Sequence, residues 1–525
     1  MRVRCTIPAL REGLEVVELQ GRTFLEDPIR RVRVPLDELG LTICDALQRE
    51  ALTPAELTAR VGAGRLDSYE RVALLNRHLM MRTTRASDVL ALHDVDEPPL
   101  PAFDGTLTHS AGLRHSCTGC GACCTGTDLG PLSDDDVARI KAVDWSPHLP
   151  ESIKPEDWIV EVELQGGRVT RLLGRRDDRC VFLRDDNKCT IHAVAGASEK
   201  PLMCRQFPHL FVREPASPGI HVGFATECRS WHVAREDGAT VESSQESLWR
   251  ILEEKGSAIM LKPPFVVWDG LEWSWKVWSE VRQSQLDRVL DATTFAEVID
   301  GIVEPVQEAL LASMSPYEQD ELFSTRLGWG IPSPPAGPLT GRGALEGFQE
   351  GCRVLSVTVG QGMAELADRY ESASESAMAR RHHALAEAIH HLLSGQAAPP
   401  AMTTPEALQI WKDMALAALD SHEIARGEAI LYETARLVFK LVLSHHDCHQ
   451  GVSDGMRARV DAHDVVDRMV RVTKMLRGAL VSALMRRSRK EMIALFLFNS
   501  SVFVRGRAPR ALGLDVATRL PGELR

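Results

Sequence analysis

Closely spaced cysteines are the residues of this chain best suited to chemistry. Of its twelve cysteines, four are scattered and the others lie between residues 117 and 228. The clustered set is Cys117, Cys120, Cys123, Cys124, Cys180, Cys189, Cys204 and Cys228. Thiolates bind zinc ions and iron–sulfur clusters, whereas cysteines buried as small hydrophobes or paired in disulfides have no reason to recur at ligand spacing. We therefore predict that this set binds metal.

The first element of the set is CTGCGACC at residues 117–124. A Cys-x-x-Cys spacing lets two sulfurs converge on one metal, and three cysteines at this spacing match the first ligands of bacterial ferredoxins. Gly119 and Gly121 permit the positive φ angles that such a turn needs. Side chains of adjacent residues diverge, so we predict that Cys123 and Cys124 do not both bind one metal ion. One of them would serve a second site or lie just outside the ligand set.

Two later elements supply more cysteines. Cys180 and Cys189 flank the turn-forming stretch Asp-Asp-Asn-Lys, which is predicted to bring them together. Cys204 lies in KPLMCRQFP, where two prolines restrict the backbone. Arg205 is predicted to hold a carboxylate or to balance thiolate charge. Cys228 follows farther along the chain.

These elements resemble the CxxCxxCC, or YkgJ-like, cysteine-cluster family. In that family the first motif is followed by C-x-F-L, C-x-I-Y, R-P-x-x-C-R-x-F-P and a further Cys, and this chain reads CVFL, CTIH, KPLMCRQFP and Cys228. His192 replaces the usual Tyr, Lys200 replaces the usual Arg, and a short insertion precedes Cys204. The resemblance implies chelation of zinc or iron by the eight cysteines.

The same family includes proteins similar to flagellin lysine N-methylases, in which a helical region follows the cluster. This resemblance implies a protein or peptide substrate, lysine N-methylation and S-adenosylmethionine as cosubstrate. The sequence shows no Rossmann-type methyltransferase signature, because Gly360-Gln-Gly362 stands alone and is more typical of a helix here. Two hypotheses follow: an iron–sulfur enzyme that modifies a protein or peptide, and a non-catalytic zinc- or cluster-binding protein whose helices bind a partner.

The kind of metal is a separate question. The ferredoxin-like run with its flanking glycines favours an iron–sulfur cluster. Zinc is the alternative, since the thiolates are numerous enough for two four-cysteine sites.

Several histidines are weaker candidates for ligands. His115 and His192 lie close to cysteines in the sequence, but we expect them outside the ligand set because the cysteines suffice. The remaining candidates, which we expect to be structural, are His209, His221, His232, the helical-face set His383, Glu387, His390 and His391, and the loop set His445, His446, Cys448 and His449.

Two other groups have ordinary explanations. Arg486, Arg487, Arg489 and Lys490 form a basic cluster that is more typical of a charged helix end than of a nucleic-acid site. Four of the ten tryptophans are expected to pack the helical region, and they are Trp268, Trp273, Trp275 and Trp278.

Bulk properties limit the function further. The net charge of −12 makes nucleic-acid binding unlikely, because phosphate neutralisation needs a basic surface. The sequence shows no signal peptide, and the apolar run near residues 492–504 is too short to span a bilayer. We therefore predict a cytoplasmic protein without a membrane partner, in a compartment where clustered thiols bind metal.

Four segments are predicted along the 525 residues. Residues 1–95 read as a small winged-helix-like α/β domain that also resembles PqqD-like peptide-binding domains, with strands at 16–27 and 30–36 and three helices after them. Residues 96–112 read as a linker, 113–235 as a loop-rich cysteine-cluster domain and 236–525 as a helical domain. The predicted fold class is mainly α.

Within these segments, two patterns are clear enough to predict single elements. Ser133 begins a helix with three Asp in its first turn, and VEVELQGGRVTRLLG alternates as a hairpin. Apolar stripes predict helices in the last segment, interrupted by loops at 328–343 and 394–405.

Overall fold

The chain folds as a mainly α-helical protein, as predicted. The computed structural model describes residues 6–19, 21–94, 104–109, 114–115, 117, 119–126, 129–163, 169–177, 179–215, 217–228, 238–254, 258–268, 271–314, 349–372, 376–394, 404–453, 460, 462–477 and 479–505. The predicted loop at 328–343 lies outside these residues, as do residues 395–403 of the second predicted loop.

The N-terminal region begins with a three-stranded antiparallel sheet, Glu15–Leu19, Arg22–Asp27 and Val32–Leu36, in that order. The predicted single strand at 16–27 is therefore wrong. Gly21 has a φ of +73°, which only glycine adopts readily, and the chain reverses there into a hairpin.

Four helices follow the sheet, Glu38–Leu47, Pro54–Val61, Arg65–Arg77 and Thr84–Asp94. The second helix begins with a capping box, since Thr53 caps it and Glu56 reaches back to the Thr53 N–H. The fourth helix was not expected from the sequence.

The region around the cysteines is built from short elements, as predicted. Ser133 caps the helix Asp134–Lys141, and the predicted hairpin pairs Ile159–Glu163 with Val169–Leu173. The remaining short elements are Arg175–Arg176, Arg179–Cys180, Thr190–Ala195, Leu202–Gln206 and the 3-10 turns Ala122–Cys124, Ser146–His148, Pro155–Asp157 and Ala197–Glu199.

A four-stranded sheet connects this region to the chain on both sides of it. Its order is Ala258–Met260, His209–Arg213, Ile220–Phe224 and Leu107–Thr108. The two central strands are antiparallel and each edge strand is parallel to its neighbour. One edge strand thus comes from the predicted linker and the other from the predicted helical domain. A smaller pair joins Arg114–His115 to Ala239–Thr240.

The chain beyond residue 240 is not wholly helical, contrary to the sequence pattern. After the helix Gln245–Glu253, the strands Phe265–Trp268 and Leu271–Trp273 form an antiparallel hairpin. Trp268 and Trp273 of the hairpin and Trp278 of the helix after it are almost fully buried in the core, and Trp275 packs against that core. The predicted packing role of the tryptophans is confirmed.

The helical region supplies most of the core. Its helices are Trp275–Asp291, Phe295–Met314, a helix at 349–355 continuing as a π-helical turn Ser356–Gln361, Gly362–Ser372, Ser376–Leu393, Pro405–Asp420, Ile430–Ser453, Ala462–Arg477, Ala479–Arg487, Arg489–Met492, the π-helical turn Ile493–Leu497 and Ser500–Arg505. The same core includes Val212 and Phe224 from the four-stranded sheet. The sheet and the helices therefore share one hydrophobic core.

The sequence predicts that the chain contains no segment that spans a membrane. Among the helices of the described residues, none is both long enough and apolar enough to cross a bilayer.

Candidate metal centre

The first cysteine element forms the tight turn that its glycines predict. Gly119 and Gly121 have φ angles of +64° and +69°, and the N–H of Cys124 donates to the carbonyl of Gly121 at 3.0 Å. A Cβ atom on Gly121 would lie 3.0 Å from Oδ1 of Asn187. Glycine is therefore needed at position 121 both for the backbone angle and for close approach of the second cysteine element.

Cys123 and Cys124 do not diverge as predicted. Both residues lie in the 3-10 turn Ala122–Cys124, and their Sγ atoms are 3.6 Å apart. The pKa of Cys123 is lowered, chiefly by its hydrogen bond with Cys124, and the pKa of Cys124 is raised by the same bond. Either sulfur can donate in this contact, and the opposite directions show that the first proton is lost more readily from Cys123 than from Cys124.

The second cysteine element is a hairpin closed as predicted by its Asp-Asp-Asn-Lys turn. The N–H of Arg184 donates to the carbonyl of Lys188 at 2.9 Å, and Asn187 takes the left-handed conformation. An isolated antiparallel bridge joins Leu183 to Cys189. Cys189 consequently lies close enough to Cys180 to contribute to the raised pKa of that thiol.

Cys204 is held by a short helix, Leu202–Gln206. The N–H of Leu202 donates to Oδ1 of Asp136 at 3.0 Å, which fixes the start of the helix. Arg205 makes two hydrogen bonds to the carboxylate of Glu254, at 2.9 and 2.5 Å, and donates through Nε to the carbonyl of Lys200. The prediction that Arg205 holds a carboxylate is confirmed.

Five cysteines from these three elements lie within electrostatic reach of one another, and we call them the thiolate group. They are Cys123, Cys124, Cys180, Cys189 and Cys204. Burial raises the pKa of Cys180 and of Cys204 to about 12, and the neighbouring thiolates add to both shifts. A metal cation suits this arrangement, because it would offset both the desolvation and the mutual repulsion of the sulfurs.

Two lysines supply positive charge at the thiolate group. Lys200 and Lys474 both lower the pKa of Cys123. The ammonium group of Lys474 donates to the carbonyl of Thr125 at 2.5 Å and also to that of Ala122. Sequence reasoning missed Lys474, since it lies in the helix Ala462–Arg477, far along the chain, and no local pattern marks it.

The other three clustered cysteines are placed differently. Cys117 is exposed and Cys120 is half-buried, and the described residues show no sulfur contact for either. Cys228 is buried, and its Sγ lies 3.9 Å from Nε2 of His115. The assignment of all eight cysteines as ligands therefore stays a prediction.

The histidines that the sequence offers as weaker ligand candidates differ in burial and in their contacts. Burial lowers the pKa of His115, which makes an edge contact with His209 at a ring distance of 5.7 Å. His192 is exposed. Nε2 of His221 lies 3.0 Å from Oδ2 of Asp420, so this ring faces a carboxylate and not a cysteine. His232 lies outside the described residues.

The predicted helical-face set lies on the helix Ser376–Leu393 and lines a cavity of about 780 Å³. His383 also approaches the preceding helix, where its ligand nitrogen and the carboxylates of Asp368 and Glu371 lie within 4.8 Å of one another. Within the described part of the chain, no other set of three potential ligand atoms is this compact. All three side chains reach solvent, as a solvated helix face does.

The predicted loop at His445, His446, Cys448 and His449 is helical, so that prediction is wrong. These residues extend the helix Ile430–Ser453. The reason is packing, since the ring of His445 stacks on Phe295 at 4.0 Å and burial keeps it neutral by lowering its pKa.

The Gly-Gln-Gly segment and the basic cluster both belong to helical segments, as expected. Gly360 and Gly362 lie in the π-helical turn and the helix that follows it, where a helix was favoured over a nucleotide loop. Arg486 and Arg487 end the helix Ala479–Arg487, and Arg489 lies over the Trp268 ring at 5.1 Å. The side chain of Lys490 is outside the described residues.

Comparison with known protein families bears on the cysteine region alone. Residues 116–230 match the family model CxxCxxCC, described as "Putative zinc- or iron-chelating domain". No curated protein and no solved structure matches the chain. The matched range contains every clustered cysteine and the whole thiolate group. Residues 116–230 of this chain are therefore a CxxCxxCC domain, and the protein is metal-binding.

Proposed function

We propose that the CxxCxxCC domain holds an iron–sulfur cluster. The observation that carries the proposal is the thiolate group, in which five cysteines from three chain segments converge beside two lysines. Thiolate sulfur is the ligand that iron–sulfur clusters require, and nearby positive charge and hydrogen bonds to sulfur stabilise and tune such clusters.

The spacing of the sulfurs supports a cluster over a single zinc ion. Four thiolates around one zinc, each at about 2.3 Å, place their sulfurs roughly 3.8 Å apart. Cys123 and Cys124 approach each other this closely, at 3.6 Å, but no three cysteine sulfurs in the described residues lie within 4.8 Å of one another. A cluster accepts wider spacing, because each thiolate binds a different iron atom.

The contact between Cys123 and Cys124, together with the lowered pKa of Cys123 and the raised pKa of Cys124, supports a division of roles. Cys123, as the thiolate, would be a ligand. Cys124 would donate to it from just outside the ligand set, which is one of the two roles that the sequence suggests for a member of this pair. The ligands would then come from Cys123, Cys180, Cys189 and Cys204.

Anaerobic purification tests the proposal. The full-length protein should be brown, with iron and acid-labile sulfide in equal amounts and visible absorption that bleaches on reduction. Colourless protein that contains zinc in place of iron would show that the domain is a zinc site. Protein that holds neither metal after anaerobic reconstitution would overturn metal binding altogether.

The resemblance to flagellin lysine N-methylase-like proteins raises a second function, methylation of lysines in a protein or peptide with S-adenosylmethionine. Its alternative is a non-catalytic protein whose metal stabilises the loops while the helices bind a partner. Mass spectrometry of proteins from strains with and without the gene distinguishes them, since each methylation adds one CH₂, about 14 Da, to the substrate, and the non-catalytic role adds no mass.

A further inference from the structure

We propose that Lys474 is a positioning residue of the metal centre, which holds the turn carrying Cys123 and couples the centre to the helical core. This inference rests on the proposed function only in requiring that the cysteines bind a metal. It holds for zinc as well as for an iron–sulfur cluster.

The contacts of Lys474 enclose the cysteine turn. Its ammonium group donates to the carbonyl oxygens of Ala122 and Thr125, which lie immediately before and after Cys123 and Cys124. One side chain therefore fixes both ends of the turn. Charged donors make stronger hydrogen bonds than neutral ones, so the loss of this group would release both carbonyls at once.

The charge of Lys474 acts on the same site. Its ammonium group is within hydrogen-bond reach of both carbonyls that flank Cys123 and Cys124, so a positive charge is held beside the cysteine turn. A centre built from several thiolates becomes more negative when it takes up an electron, so a nearby cation stabilises its reduced state. Lys474 should therefore raise the reduction potential of a bound cluster.

The position of Lys474 connects this site to the rest of the molecule. Its neighbours Met475 and Leu476 are buried in the large helical core, and Ala122 packs against that core. Metal that orders the turn should consequently stabilise the helix Ala462–Arg477, and the helix should in turn favour metal binding, because such coupling is reciprocal.

A titration of metal-free, full-length protein with Zn²⁺ under a competing chelator tests the role. Lys474→Met removes the charge and both hydrogen bonds at similar length, and we expect its Zn²⁺ affinity to fall about 10- to 100-fold, as for other residues that position ligands. Lys474→Arg keeps a charged donor and should bind within a few-fold of wild type. Equal affinity of Lys474→Met and wild type overturns the proposal.

Lys412 offers a matched control. Its ammonium group also donates to two carbonyls, those of Leu290 and Ala292 at 2.8 and 2.9 Å, but it is in a different part of the helical region. Lys412→Met should leave Zn²⁺ affinity unchanged. An equal loss of affinity in both variants would show a general effect of helix packing and overturn the specific role of Lys474.

A measurement on wild-type protein covers the case in which Lys474→Met does not fold. Zn²⁺ should slow hydrogen–deuterium exchange in the helix Ala462–Arg477 and leave the N-terminal helix Glu38–Leu47 unchanged. No added protection in Ala462–Arg477 overturns the coupling. Wild-type protein that binds no metal overturns the proposed function as well, whereas wild-type binding with an unaffected Lys474→Met overturns only the role of the lysine.

In protein reconstituted with iron and sulfide, Lys474→Met should shift the reduction potential to a more negative value and Lys474→Arg should restore it. An unchanged potential in Lys474→Met contradicts the electrostatic part of the inference.

Discussion

Arg30 and Glu272 form a buried ion pair between the N-terminal region and the tryptophan hairpin. Nη2 of Arg30 lies 2.9 Å from Oε1 of Glu272, and each side chain is only 4% exposed. Nε2 of His93 lies 2.6 Å from the other carboxylate oxygen of Glu272. One carboxylate thus fastens two N-terminal segments to the body of the protein.

Replacement of Glu272 should destabilise the fold strongly. Glu272→Gln leaves the guanidinium of Arg30 buried without its counter-charge, which costs about 3–5 kcal/mol of unfolding free energy. The control is Glu26→Gln, whose partner Arg33 is 50% exposed, and it should cost at most about 1 kcal/mol. Urea denaturation measures both variants, and equal losses would show that the Arg30 pair is not special.

Loss of a cysteine from the thiolate group should remove metal without unfolding the chain. Cys180→Ser replaces a buried sulfur of the group with a hard hydroxyl that binds zinc and iron weakly. We expect most of the metal to be lost, as measured by elemental analysis of anaerobically purified protein. Cys44→Ser changes a cysteine buried in the N-terminal core and should keep the wild-type metal content. Full metal content in Cys180→Ser would exclude it as a ligand.

Acid should weaken the helical core through buried histidines. Burial lowers the pKa of His446 to about 4, so the folded protein holds it neutral while the unfolded chain takes up a proton near its usual pKa of 6.5. Its contribution is therefore complete above pH 6.5 and is lost as the pH falls toward 4. His446→Leu should flatten this part of the stability profile by roughly 3 kcal/mol at full protonation.

Denaturation at several pH values between 7 and 4 checks this expectation. His192→Leu, at an exposed position, serves as the control and should follow the wild-type profile. A His446→Leu profile as steep as that of wild type would refute the role of His446.

Two glycine substitutions should act in opposite directions. A Cβ atom on Gly174 would lie 1.6 Å from the carbonyl oxygen of Asp157, so Gly174→Ala must displace the backbone beside Cys180 and should cost more than about 1–3 kcal/mol. Gly360 is helical, and a Cβ atom there would make ordinary contact with Ile389 at 3.7 Å. Gly360→Ala should be neutral or stabilise the helix by up to about 1 kcal/mol. Thermal unfolding distinguishes the two, and a stable Gly174→Ala would be a contradiction.

Local sequence was sufficient wherever one segment determines its own structure. Ser133 and the three Asp after it predict the start of the helix Asp134–Lys141, and the glycines at 119 and 121 predict the cysteine turn. Prediction failed where the deciding contact comes from elsewhere. The sequence around His445 predicts a loop, because it does not show that the ring stacks on Phe295. Nothing in the sequence around Lys474 indicates that its ammonium group donates to the carbonyl of Thr125.

The four-stranded sheet has a practical consequence for anyone who wishes to study the CxxCxxCC domain in isolation. A fragment cut at residues 116 and 230 would keep the two central strands and lose both edge strands, Leu107–Thr108 and Ala258–Met260. The unpaired N–H and C=O groups along the outer edge of each central strand could then bind strands of other molecules and cause aggregation. The stretch of sequence that can be recognised is thus shorter than the stretch that must be expressed.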